Sequence, residues 1–180
     1  LEKIYQLDKD FFMFQFYYRG NRNKLIFKLS APNSSVFLSD RIDGNNSFSS
    51  SFLNVLKKEI EGTILNSIDQ YKTDRVLIFT FSKTDFLDGK IVYKLILELM
   101  GRHNNLILTR DNIIIDAYSK RFSETSRSIL PNIEYNFFPT NKEVLTNLDY
   151  STVGDPKYLS QNYMGISPLL SSYSYNNKFN

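Results

Sequence analysis

The chain has 180 residues, no cysteine, one histidine and a formal net charge of +3. Those counts exclude disulfides, thiolate zinc sites and cysteine nucleophiles, and so small a charge does not by itself argue for nucleic-acid binding. With 42% hydrophobic residues, 15 Phe and 12 Tyr, the chain is predicted to bury a core rich in aromatic rings, and no apolar run is long enough to predict a transmembrane helix.

Residues 4–7 and 11–18, rich in Phe, Tyr and Ile and broken by Asp8 to Asp10, read as two strands. In "RGNRNK", Arg19 to Lys24, Gly20-Asn21 supplies turn chemistry and predicts a hairpin tip. "LIFKLS" and "SVFLS" continue as strands, and "DRIDGNNSFSS" reads as a polar loop. A helix is predicted over 51–61. Ser50 or Ser51 caps it, and Phe52, Val55, Leu56 and Ile60 share one face. Lys57, Lys58, Glu59 and Glu61 face water, and Gly62 is the stop signal.

The apolar runs "TILNSI", "RVLIFTF", "KIVYKLILELM", "NLILT" and "NIIIDAY" follow closely and predict an antiparallel meander, a sandwich or a barrel. "ILPNIEYNFFPTN" is extended. Thr140 is expected to cap a short helix over 141–148, and residues 150–158 look like a linker. The tail "YLSQNYMGISPLL" predicts a helix, a turn at Gly165 and a second helix with Pro168 in its first turn.

One histidine cannot build a zinc site without several carboxylates around it. No G-x-S-x-G elbow, P-loop or G-x-G-x-x-G accompanies it, and no cofactor is expected. The basic residues are more suggestive. Arg19, Arg22 and Lys24 share the hairpin tip beside Tyr17 and Tyr18, Arg75 opens a strand after Asp74, and Arg102 and His103 sit at another strand end. Guanidinium groups on rigid elements suit phosphate contact. A solvated surface with local ion pairs is the plainer reading, and at the Arg19 tip chemistry alone favours it. For "ELMGRHNN", Glu98 to Asn105, two readings stand level. It is a strand-ending turn with a half-buried histidine, or it is a contact site; Gly101 serves backbone geometry in either.

Taken in order and spacing, "LEKIYQ", "LIFKLSA", "FLNVLKKEIEG", "DRVLIF", "ELMGRHNNLIL", "IID" and "RSILP" with Tyr135 resemble a known family. It is the NFACT-N domain of the bacterial fibronectin-binding protein A and ribosome quality-control factor family. "YMGISPLL" resembles the opening of the helix-hairpin-helix segment, NFACT-M, that follows in that family. The expected organisation is therefore a β-rich NFACT-N-like domain over 1–149, then a linker and the truncated start of the helical segment over 150–180. The chain opens on Leu1 and is expected to be a piece of a longer protein, without the residues that precede "KIYQ" in the family.

The resemblance implies an α+β fold, an antiparallel β-sandwich with flanking helices, similar to the N-terminal domain of formamidopyrimidine-DNA glycosylases. It implies a cytoplasmic binding protein and not an enzyme, with no membrane partner. Such a protein engages the large ribosomal subunit carrying peptidyl-tRNA and recruits tRNA for alanine tailing, while the ribosome performs peptidyl transfer. The family's tRNA-binding segments fall here on Asp74, Arg75, Glu98, Met100, Gly101, Arg102 and His103, with Asp74 and Glu98 expected to orient the arginines or to accept hydrogen bonds from nucleotides, and Arg19 and Arg22 are expected to add phosphate contacts. The family's older name gives an alternative, a surface adhesin for fibronectin or fibrinogen, although no signal peptide or wall anchor is visible. The shared fold gives another, a DNA glycosylase-like enzyme, but Leu1-Glu2 lacks the N-terminal proline of those enzymes. Departures from the family pattern include Ser35 and Phe37 in place of Arg and His, and Asn104 in place of Ser.

Overall fold

The computed structural model describes residues 1–44, 48–87, 89–146 and 153–177. Strands β1 (Lys3–Asp8), β2 (Phe11–Tyr18), β3 (Asn21–Lys28) and β4 (Ser35–Leu38) form one antiparallel sheet in sequential order. Helix α1 (Ser51–Ile60) follows. A second sheet then takes β5 (Ile64–Gln70), β6 (Val76–Asp85), β7 (Gly89–Glu98), β8 (Asn105–Arg110) and β9 (Ile113–Ala117), again in order. This is the expected α+β meander. Short connections between sequential neighbours suit antiparallel pairing and need no crossover helix.

The β2–β3 hairpin turns earlier than expected. Arg19 (φ 50°) and Gly20 (φ 83°) alone make the turn, and Tyr18 pairs with Asn21. Two positive φ values in a two-residue loop match the right-handed twist of the flanking strands. Asn21 to Lys24 are therefore the start of β3 and not part of the tip.

A core cluster lies between the two sheets and α1. Phe12, Phe14 and Phe27 of the first sheet join Phe79, Phe81, Leu95, Leu97, Leu106 and Leu108 of the second. Phe27 meets Phe79 edge-on at 5.2 Å, and Phe12 meets Phe52 of α1 at 5.9 Å. Such ring pairs add about 0.5–1.5 kcal/mol each beyond the area they bury. The buried face of α1 is Phe52, Leu53, Leu56 and Ile60, so Leu53 takes the place predicted for Val55, which is only partly buried. Ser50 is the cap: its Oγ accepts from Leu53 N at 3.1 Å and donates to Gln6 Oε1 at 2.6 Å. Glu61 does not simply face water, because its Oε1 accepts from Ile4 N at 2.7 Å.

The outer edge of β9 is partly covered. Ile114 N donates to Ile133 O, and Asn132 N donates to Ile114 O, both at 2.8 Å. The segment around 129–136 thus lies along a strand edge that would otherwise offer unpaired backbone groups. It also carries Tyr135 to the end of β7, where the candidate site begins.

The chain divides into two compact units, Leu1–Asp69 with Val76–Asn136, and Gln70–Arg75 with Phe137–Asn180. The second holds α2 (Tyr158–Asn162) and α3 (Pro168–Asn176), with Ser167 capping α3 and Pro168 in its first turn. The helix expected over 141–148 is not formed over 141–146. There Glu143 bridges Tyr163, with Glu143 N donating to Asn162 O and Met164 N to Glu143 O, both at 2.9 Å. A backbone committed to that bridge is not available for a helical ladder. Residues 147–148, the expected border at 149–150 and the first residues of the expected linker lie outside the described residues.

Candidate functional site

β7 ends at Glu98, and Glu98 pairs with Asn105 at the start of β8. Between them the chain rises into one 3-10 turn, Gly101–His103, with His103 N on Met100 O and Asn104 N on Gly101 O. Gly101 sits at φ +64°, a conformation costly for other residues, while the space beside its Cα is open. The glycine is therefore set by backbone geometry and not by crowding. Gly101, Arg102 and His103 are exposed, and Met100 is half-buried. Arg102 Nε donates to His103 Nε2 at 3.2 Å. In that bond Nε2 is the acceptor. The guanidinium keeps its outer amines for a fork on an oxyanion.

The base of this crest is buried and polar. Glu98 is 2% exposed. Its Oε2 accepts from Arg127 Nη2 at 2.5 Å and its Oε1 from Tyr135 Oη at 2.7 Å. Arg127 also donates from Nη1 to Asn136 O at 2.7 Å and lies over the Tyr135 ring at 5.6 Å. Burial opposes the charge on Arg127, but the hydrogen bond and field of Glu98 outweigh it and hold the guanidinium above its ordinary pKa. Burial, with the Glu98 carboxylate second, pushes the Tyr135 phenol up strongly. On the other side of the crest, Asn104 Nδ2 donates to Leu29 O and Asn105 Nδ2 to Ser119 O, each at 2.8 Å.

Of the two roles expected for Glu98, direct contact with a nucleotide does not suit its placement, because a carboxylate so buried and already accepting two hydrogen bonds does not present itself to a nucleotide. Arg127 and Tyr135 were not singled out as site residues, although Arg127 opens the "RSILP" motif and Tyr135 follows it in the pattern that carries the family resemblance.

The hairpin tip is a separate basic feature. Arg19 is exposed and stands over the Tyr18 ring at 5.1 Å. Arg22 is engaged: its Nε and Nη2 each donate to Glu2 at 3.1 Å, which raises the Arg22 pKa and lowers that of Glu2. Exposed pairs of this kind contribute little to stability.

Asp74 and Arg75 belong to the second unit. Asp74 Oδ1 accepts from Arg75 N at 2.7 Å, and Gln70 Nε2 donates to Asp74 O at 2.7 Å, closing the turn. Arg75 is exposed and Asp74 is half-buried. In the same unit Tyr71 stacks on Phe137 at 3.6 Å with an interplanar angle of 5°, and Lys72 lies 5.3 Å from the centre of the Tyr71 ring. Among the described residues no cluster of His, Asp and Glu is arranged to hold a metal ion, and no helix is long and apolar enough to cross a membrane.

A two-sheet α+β domain bearing an exposed Gly-Arg-His turn on a buried acid defines the class, and the family model named NFACT N-terminal and middle domains matches residues 1–176. The chain belongs to the NFACT family. Similar curated proteins are the Rqc2 homolog RqcH of Bacillus subtilis, 29% identical over 94% of this chain and 32% of the relative, and that of Streptococcus suis, 31% identical over 82% and 30%. The archaeal Rqc2 homolog aRqcH of Methanocaldococcus jannaschii is 35% identical over 56% of this chain and 14% of the relative. The chain thus spans about a third of the length of its bacterial relatives or less. These matches support a ribosome quality-control factor family. Among solved structures, the N-terminal domain of fibronectin-binding protein PavA from Streptococcus pneumoniae has a TM-score of 0.83 at 23% identity. It covers 97% of this chain and 70% of its own. The N-terminal part of the fibronectin/fibrinogen-binding protein from Streptococcus suis gives the same score and coverage at 28% identity.

Proposed function

We propose that this chain is the RNA-binding part of a ribosome-associated quality-control factor, binding tRNA and the large ribosomal subunit that carries a stalled peptidyl-tRNA. The observation that carries the reading is the exposed Arg102–His103 pair, held on a turn whose base is buried on both sides. Arg102 and Arg75 contact phosphates through planar guanidinium forks, and Arg19 adds a further cation from its own hairpin. Recognition of this kind reads backbone shape and unpaired nucleotides more than sequence. Asp74 orients the Arg75 backbone, and Met100 and Gly101 shape the crest. In this reading the factor binds and positions, and the alanine tail is joined by the ribosome's own chemistry.

The test is binding of labelled tRNA by the chain over a salt series, with Arg75→Ala and Arg102→Ala made singly and together. Affinity should fall steeply with salt, and each substitution should reduce the salt slope by about 1. An unchanged affinity in the double variant would overturn both contacts. The names of the two structural neighbours favour a second reading, fibronectin binding. Binding of the chain to immobilised fibronectin that persists in the same double variant would support it.

A further inference from the structure

We infer that Glu98, Arg127 and Tyr135 form a positioning device for the Gly101–His103 crest, touching no RNA themselves but fixing the angle at which Arg102 and His103 are presented. The inference rests on the RNA-binding reading of the crest. The geometry starts with the register. Glu98 and Asn105 are the last paired residues beneath the turn, so whatever fixes these two fixes the crest above them. On the Asn105 side the fixing groups are amides, with Ser119 N donating to Asn105 Oδ1 at 2.9 Å and Asn105 Nδ2 returning the bond to Ser119 O. On the Glu98 side both carboxylate oxygens are used, one by Arg127 and one by Tyr135. Two bonds from different donors define both the position and the plane of the carboxylate.

The chemistry argues for placement over bulk stability. A buried ion pair is a poor way to gain stability, because the desolvation of both charges offsets most of their attraction, and apolar residues of similar volume often serve as well. What it adds is direction. Arg127 and Tyr135 lie 29 and 37 residues beyond Glu98, the first just before and the second on the segment that runs back along the β9 edge. Arg127 is itself fixed a second time, through Asn136 O. The end of β7 is thereby tied to a distant stretch of chain by bonds that form in one geometry only. A crest held in this way meets a phosphate without first having to be ordered, which lowers the entropic cost of binding.

The single histidine of the chain makes the crest directly readable, because its imidazole gives one isolated set of proton resonances. The test compares Glu98→Gln and Tyr135→Phe with a core control, Ile60→Val on α1, all confirmed folded by circular dichroism. The expected result is that the His103 ring signal shifts or broadens in Glu98→Gln and Tyr135→Phe and stays in place in the control. Affinity for tRNA should fall by roughly tenfold in Glu98→Gln and should not fall further when Glu98→Gln is added to an Arg102→Ala, His103→Ala background, since the residues act through one another. An unmoved His103 signal in both folded variants, movement in the control as well, or a Glu98→Gln loss that adds in full to that background overturns the positioning role. Should Glu98→Gln not fold, Tyr135→Phe, which removes one hydroxyl, decides by the same signal. If the unsubstituted chain binds no tRNA, the RNA reading fails, and the His103 signal in the free chain still decides whether the three residues place the crest.

Discussion

Asn104 Nδ2 donates to the backbone carbonyl of Leu29, 2.8 Å away and 75 residues back along the chain. Leu29 follows β3 in the first sheet, and Asn104 closes the crest turn of the second. One side-chain amide therefore ties the exposed turn to the opposite sheet, through a bond buried at both ends. Replacing Asn104 with Ala leaves the Leu29 carbonyl buried without this donor. That should cost about 1–3 kcal/mol. A lower urea midpoint at an unchanged slope would show it; an unaltered midpoint would mean that the bond contributes nothing.

Glu98→Ala should be costlier. It leaves the Arg127 guanidinium buried without its counter-ion, a change that typically costs about 3–5 kcal/mol. Replacing Glu98 and Arg127 together with Leu and Met should recover much of that loss, because no unpaired charge remains. Denaturation of the single and double variants measures both effects, and a double variant as unstable as the single would contradict the account.

In the second unit, Gly165 has φ +74°, and a Cβ placed there would lie 1.8 Å from the Thr73 carbonyl oxygen. Gly165→Ala is thus blocked twice, by conformation and by a backbone atom that cannot swing aside. The turn between α2 and α3 should open locally. Amide hydrogen exchange should speed up over 158–176, while the β6–β8 ladder in the first unit keeps its protection. Uniform acceleration across the chain, or none, would be the contrary result.

Tyr135 and Tyr118 give the pH dependence. Burial raises both phenols well above the ordinary tyrosine value, with Glu98 adding to it at Tyr135 and the Asp10 hydrogen bond at Tyr118. Because the folded pKa exceeds the unfolded one, the contribution to stability is complete below the unfolded value. It is lost as pH rises towards the folded value. Stability should therefore decline above about pH 10. Tyr135 and Tyr118 should ionise only as the protein unfolds. Tyrosinate absorbance followed together with circular dichroism across an alkaline titration tests this, and Tyr135→Phe should make the alkaline loss of stability shallower. Ionisation of all tyrosines in one step without unfolding would rule this out.

Much of the fold was legible in the order of the chain. The strands predicted from apolar runs and the helix at 51–61 correspond to β1–β9 and α1, with ends shifted by a few residues. Those signals are local: a strand alternates faces every residue and a helix returns every third or fourth. The departures arise where long-range contacts override local signals. Thr140 looked like a helix cap, yet Glu143 is taken by a bridge to Tyr163. Val55 and Leu53 are both apolar, and only the direction from which the sheets approach α1 makes Leu53 the buried one.

The candidate site divides along the same line. The sequence by itself determined that a glycine, an arginine and a histidine would stand together at a strand end, since neighbours in the chain remain neighbours in the fold. It also placed the chain near its family, because motif order survives without coordinates. Only the tertiary structure decided which of these residues face outwards. Glu98 and Arg102 are four positions apart and both charged, yet one is sealed against Arg127 and Tyr135 and the other is exposed. A charged side chain carries no local mark of burial. Its fate depends on whether a partner arrives to offset its desolvation, and these partners arrive from 29 and 37 residues away.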